Sequence, residues 1–133
     1  MNMPTENRCF DEILDVHMLI QHWLAGQAAP EQLGDLLAHF SPDFSMIGLS
    51  GQRLDHAGLQ RVFHAAHGTR PDLLIQIDEP QLIRHGQYLS LVSYRERQID
   101  AQGRHSVRRS TAVFEHLDNG DLRWLHLHET PCG

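Results

Sequence analysis

The chain has 133 residues, of which 41% are hydrophobic and 21% charged, and a formal net charge of −6. That balance describes a globular protein the size of one ordinary domain and excludes a disordered one. The negative charge and the scattered arginines, with one adjacent pair at Arg108-Arg109, argue against a nucleic-acid partner, because phosphate binding needs clustered cations. No apolar run approaches the roughly 20 residues of a membrane span, and the polar start MNMPTENRCFDE is unlike a secretory leader. A cytoplasmic protein without a membrane partner is expected. Cys9 and Cys132 lie near opposite ends and make no disulfide framework.

The hydrophobic spacing predicts a helix over about 8–25, with Phe10, Ile13, Leu14, Val16, Ile20, Trp23 and Leu24 in one wide stripe and Gly26 as its stop. A second helix is predicted from Pro30, carrying Leu33, Leu36, Leu37 and Phe40 on one face and ended by Pro42. A short strand over 44–49 follows, then a helix over 56–67 capped by Asp55. From residue 72 the period changes to two. Strands are predicted over 72–84 (bulged at Pro80), 87–99, 104–117 and 122–130, with hairpin turns at 100–103 and 118–121. Helices first and hairpin-linked strands after them define an α+β fold, a curved antiparallel sheet with helices packed on one face. One domain is expected, with its core at about 8–130.

Loops of four residues pair Leu117 with Leu122 and Ile99 with Arg104, and so assign the faces of the sheet. One face carries Leu89, Phe114 and Leu125; then Leu91, Ala112 and Leu127; then Ser93, Ser110 and Glu129; then Arg95 and Arg108. Its apolar end belongs under the helices, and its small residues leave room for a cavity. The other face carries Tyr88, Tyr94, Trp124, His126 and His128.

The element order, the stretch HFSPDFSMIGLSGQRLDHAGLQRVF at 39–63 and the stretch TAVFEHLDNGDLRWLHLHET at 111–130 resemble the nuclear transport factor 2-like superfamily, nearest to its small bacterial domains of unknown function. That superfamily includes ketosteroid isomerases, polyketide-cyclase-like proteins and a kinase association domain. The resemblance implies a cone-shaped sheet wrapped around N-terminal helices with an internal pocket, and often a homodimer through the sheet's outer face. Its catalytic residues do not carry over. The first strand, FSMIGL, has no acid, the first helix has no tyrosine, and Ser93 and Ala112 stand where the association domain has arginines.

The candidate ligand site is the polar end of the inner face. Ser93, Arg95, Arg108 and Ser110 would hold an anionic or carbonyl group, Glu129 is the candidate base, and Trp23, Phe44 and Met46 are candidate walls. An ion pair finishing the sheet edge is the plainer alternative for Glu129. His126 and His128 share one face of a strand but lack a third ligand, so no metal is expected, and no nucleotide loop or other cofactor motif occurs. Two functions stay open. One is a small-molecule-binding protein, with isomerase, cyclase or dehydratase activity in reach. The other is an association module that dimerises through Tyr88, Trp124, His126 and His128.

Overall fold

The structure, a computed structural model, describes residues 4–132. α1 (Thr5–Ala25) opens the chain and stops at Gly26, whose left-handed φ of 79° and backbone N–H to Trp23 O bond close the last turn. Gly26 also lies against Gly68, close enough that a Cβ on Gly26 would sit 3.3 Å from the Gly68 Cα.

The second helix is shorter than its leucine spacing predicts. A 3₁₀ turn at Pro30–Gln32 leads into α2 (Leu33–Leu37), and Phe40 already starts β1 (Phe40–Ile47). Phe40 leaves the helix because it packs on Phe44, Phe63 and Trp124. Pro42 falls inside β1, where the ladder to β6 is interrupted between Phe40 and Ser45, so no donor is missed there. β2 (Arg53–Asp55), too short for a periodic signal, runs back along β1 and delivers the chain to α3 (His56–Ala66). The Asp55 side chain caps α3 by accepting from Gly58 N at 2.8 Å.

β3 (Leu74–His85), β4 (Leu89–Ile99), β5 (His105–His116) and β6 (Leu122–Pro131) complete a curved, unclosed six-stranded sheet ordered β2-β1-β6-β5-β4-β3. All pairs are antiparallel except β1 with β6, which is parallel. The β3 bulge falls between Asp78 and Gln81, with Glu79 at φ 52°, beside the expected Pro80. At the open edge, the Gln21 side chain of α1 accepts from Ile75 N.

The hairpin loops correct the predicted faces. Asp100 N donates to Arg104 O, so three residues rather than four make that turn, with Gly103 at φ 78°. The second hairpin is built alike: Leu117 N donates to Asp121 O, and Gly120 has φ 90°. A three-residue loop closed by a left-handed glycine is a regular hairpin geometry. One residue fewer in the turn moves the pairing by one position, which inverts a strand.

β4 is therefore reversed. Ile99 pairs with His105, and Ser90, Val92, Tyr94, Glu96 and Gln98 face inward. Ser93 and Arg95, expected to face the cavity, point to the convex side. β6 begins in the same shifted register, with Phe114 opposite Trp124. A bulge at Leu125 then restores the expected pairing, Ala112 with Leu127 and Ser110 with Glu129. Trp124, expected outside, is 1% exposed in the core. There it packs edge-on against Phe114 and donates its indole N–H to Glu12 at 3.1 Å.

The core lies between α1 and the concave sheet face, where Cys9, Ile13 and Val16 meet Val92, Tyr94, Ala112, Phe114 and Trp124. Trp124→Ala is expected to cost about 3–5 kcal/mol, as for other buried aromatic truncations, without changing the oligomeric state of the folded protein. Chemical denaturation and sedimentation velocity check the two halves of that expectation.

Candidate functional site

A cavity of about 220 Å³ opens between the concave face and helices α1 and α3. Its walls are apolar: Ile20 and Leu24 from α1, Phe44 and Met46 from β1, Leu59 and Phe63 from α3, and Leu127 from β6. Val62, 48% exposed, stands at its mouth. The polar end is made by His17, Glu96, Gln98, Arg108 and Glu129.

His17 and Glu96 form a buried ion pair at the floor, 6% and 3% exposed, with Nε2 of the ring 3.2 Å from a Glu96 oxygen. The Nδ1 of His17 lies 2.7 Å from the carbonyl of Ile13, one helical turn back. A carbonyl only accepts, so Nδ1 carries a proton, and Nε2 then meets a carboxylate that also only accepts. With Glu96 ionised, both nitrogens donate and the ring is held as an imidazolium. Burial pulls the His17 pKa down, but the hydrogen bond and charge of Glu96 outweigh it and leave it raised. Burial likewise opposes ionisation of Glu96, yet its bond to His17 holds the carboxyl down at about 2. The second Glu96 oxygen accepts from Gln98 Nε2 at 2.7 Å, and the Gln98 carbonyl accepts from Arg70.

Glu129 is the contrasting carboxylate. Burial raises its pKa, Arg108 opposes that rise, and the Glu96 charge adds to it. Its one ion-pair partner among the described residues is an Arg108 terminal nitrogen at 3.4 Å, a long contact for a charge-assisted hydrogen bond. Behind the floor, Tyr94 Oη, Arg108 Nε and Ser110 Oγ are buried with no hydrogen-bond partner among the described residues beyond the two hydroxyls themselves.

Arg108, Ser110, Glu129, Phe44 and Met46 thus fall at or directly behind this cavity. Arg95 does not: on the convex side it grips Asp78 through two hydrogen bonds of 2.7 and 2.6 Å. Ser93 lies on the same side, opposite Thr111. Trp23 is outside the cavity lining, with its indole N–H bonded to Phe63 O at 2.7 Å and its ring stacked on His67. The sequence reading missed His17, Tyr94, Glu96 and Gln98. The last three were lost with the inverted β4 register. His17 had a signal, since it stands four residues after Ile13 and three before Ile20 within an apolar helical stripe.

Tyr88 is 69% exposed, His128 is exposed, and His126 is half-buried on the convex face, where its Nδ1 lies 2.8 Å from Ser45 Oγ. Among the described residues no three His, Cys, Asp or Glu side chains gather as metal ligands, and no helix is long and apolar enough to cross a membrane. A wider depression of about 430 Å³ near Glu12 and His39 is lined largely by polar groups. Its Glu12 carboxylate is already occupied by His39 at 2.7 Å and by Trp124.

The chain belongs to the NTF2-like family. It is 42% identical to an NTF-2 like protein of unknown function from Pseudomonas aeruginosa, over 95% of this chain and 99% of that one, with a TM-score of 0.91. The CamKII hub homology domain of Chlamydomonas reinhardtii shares the fold at 14% identity and a TM-score of 0.77, over 98% of this chain and 100% of that one. A candidate ketosteroid isomerase from Parabacteroides distasonis does so at 10% identity and a TM-score of 0.74, over 99% and 91% of the two chains. No family model matches the chain, and none of the curated proteins matches it.

The two pKa shifts of the ion pair set a stability window. A lowered carboxyl stabilises above its unfolded value of 4.5, and that contribution is lost as pH falls toward about 2. A raised histidine stabilises fully below its unfolded value of 6.5 and loses the contribution as pH rises through its folded value. The pair therefore contributes most between pH 4.5 and 6.5. Glu96→Gln is expected to cost about 3–5 kcal/mol in that window by stranding a buried imidazolium, and to flatten both flanks. Urea denaturation of both proteins across pH measures the difference.

Proposed function

We propose that this chain is a small-molecule-binding domain. Its cavity holds a small, partly apolar ligand by an anionic or carbonyl end, and Glu129 exchanges protons there. One observation carries the reading: an apolar cavity ends in a buried cluster where one carboxylate, Glu96, is hydrogen-bonded at both oxygens and its neighbour Glu129 is held by a single 3.4 Å contact. Pairs of carboxylates pushed apart in this way divide acid–base roles, the raised one being the proton carrier. An isomerase, cyclase or dehydratase step needs such a carrier beside donors for a developing oxygen charge. Glu129 supports the first role, and Arg108 with Ser110 behind it supports the second.

The cavity volume of about 220 Å³ lies below the roughly 300–1,000 Å³ of sites for drug-sized ligands. The ligand is accordingly small, or Val62 and α3 shift to admit a larger one. Val62→Trp fills the mouth from an exposed position and leaves the core alone. Small aryl ketones and aryl carboxylates are expected to raise the melting temperature of the wild type and to have no effect on this variant. Equal shifts in both proteins would place binding elsewhere.

A second reading, self-association through the convex sheet face, has its own observation. The core contacts of α1 and β1 are with the concave face, while the convex face leaves Leu91, Val113 and His126 half-buried and His128 exposed. The hub domain among the structural neighbours is compatible with this reading. The interface would use His126 and His128, with Tyr88 at its margin and Trp124 excluded by burial. Val113→Arg is then expected to convert a dimer into a monomer in sedimentation velocity, and a monomeric wild type refutes the reading.

A further inference from the structure

The polar end of the cavity keeps one donor unused. The Arg108 Nε hydrogen has no acceptor among the described residues, and the buried Tyr94 and Ser110 hydroxyls behind it have no partner there beyond one another. They form one patch, for Tyr94 pairs across the strands with Ser110, Ser110 with Glu129, and Glu96 with Arg108. Of the two nearby carboxylates, Glu96 is engaged at both oxygens, by His17 and by Gln98. Glu129 reaches the Arg108 guanidinium only through the single 3.4 Å contact, which leaves the Nε arm of the fork empty. Arginine binds carboxylate best through two parallel hydrogen bonds. Glu129 therefore occupies this guanidinium without satisfying it.

Charge points the same way. The groups facing Glu129 are Arg108 and Ser110 from β5, Glu96 and Tyr94 from β4, and His17 from α1. β1 and α3 add only apolar side chains to the lining. With Glu129 ionised, two positive and two negative charges cancel. With Glu129 protonated, one positive charge is left over, which a single carboxylate neutralises.

We propose that the cavity takes a small apolar monocarboxylate, that Arg108 receives its carboxylate, and that Glu129 takes up one proton as the ligand displaces it. The proposal rests on the reading of the cavity as a ligand pocket. Glu129 then works as a proton-linked gate. It holds the guanidinium while the site is free and yields it as a neutral acid.

Isothermal titration of the full chain with phenylacetate, and with its uncharged isostere phenylacetamide, tests the proposal over about pH 5 to 8. Phenylacetate affinity is expected to fall about tenfold per pH unit once Glu129 is ionised in the free protein. Buffers of different ionisation heat should report uptake of about one proton. Glu129→Gln should keep phenylacetate binding and flatten its pH profile. Arg108→Gln should weaken phenylacetate at least about tenfold and phenylacetamide by much less. The near-isosteric Glu129→Gln carries the test alone if the arginine variant does not fold. Phenylacetamide binding as tightly as phenylacetate, or a pH-independent wild type, overturns the proposal and leaves the pocket reading standing. Binding of neither compound overturns both.

Discussion

Two glycines set the faces of the sheet. Gly103 and Gly120 take left-handed backbone angles that let each hairpin turn in three residues. Side chains alternate along a strand, so the parity of the loop decides which half of the strand is buried. Through Gly103 the alternation puts Tyr94, Glu96 and Gln98 inside and Arg95 outside. Through Gly120 it puts Trp124 inside. The bulge at Leu125 then returns Leu127 and Glu129 to the interior. The floor groups of β4 and β6 depend on these two turns.

A buried ion pair is a costly thing to place in a core, because both charges lose their hydration. His17 and Glu96 are tolerated because each finds further partners: Ile13 O for one, Gln98 for the other. The result is a fixed charge distribution at the end of an apolar chamber. Glu129 is left as the carboxylate that burial disfavours in its ionised form, and Arg108 as a cation with only one of its nitrogens engaged by it. The contrast between Glu96 and Glu129 arises from which neighbours each carboxylate has, since the two side chains are chemically the same.

Much of this was legible in residue order. The wide stripe of α1, the Asp55 cap, the run of four long strands and the inward set of β5 all follow from periodicity and turn chemistry. The family resemblance rested on the same order, and the placement of Arg108, Ser110 and Glu129 on the inner face followed from β5 and the far half of β6. β4 was misplaced because a three-residue and a four-residue turn are both compatible with the letters DAQGR. Phe40 was given to a helix because its spacing suits one, whereas its aromatic partners come from β1, α3 and β6.

The sequence by itself determined the class of fold, because helical and strand periods are local properties that each segment carries in its own residues. It determined one inner face for the same reason. The tertiary structure alone decided that the His17 pKa is raised, that the Glu96 pKa is lowered and that the Glu129 pKa is raised. A pKa records the burial and neighbours of a group, and those neighbours come from α1, β4, β5 and β6, far apart in the chain. It also decided the fate of the histidine-rich ending, WLHLHE. The tryptophan went to the core, the histidines to the convex side and the glutamate to the cavity, because one bulged residue, Leu125, divides the strand between two registers.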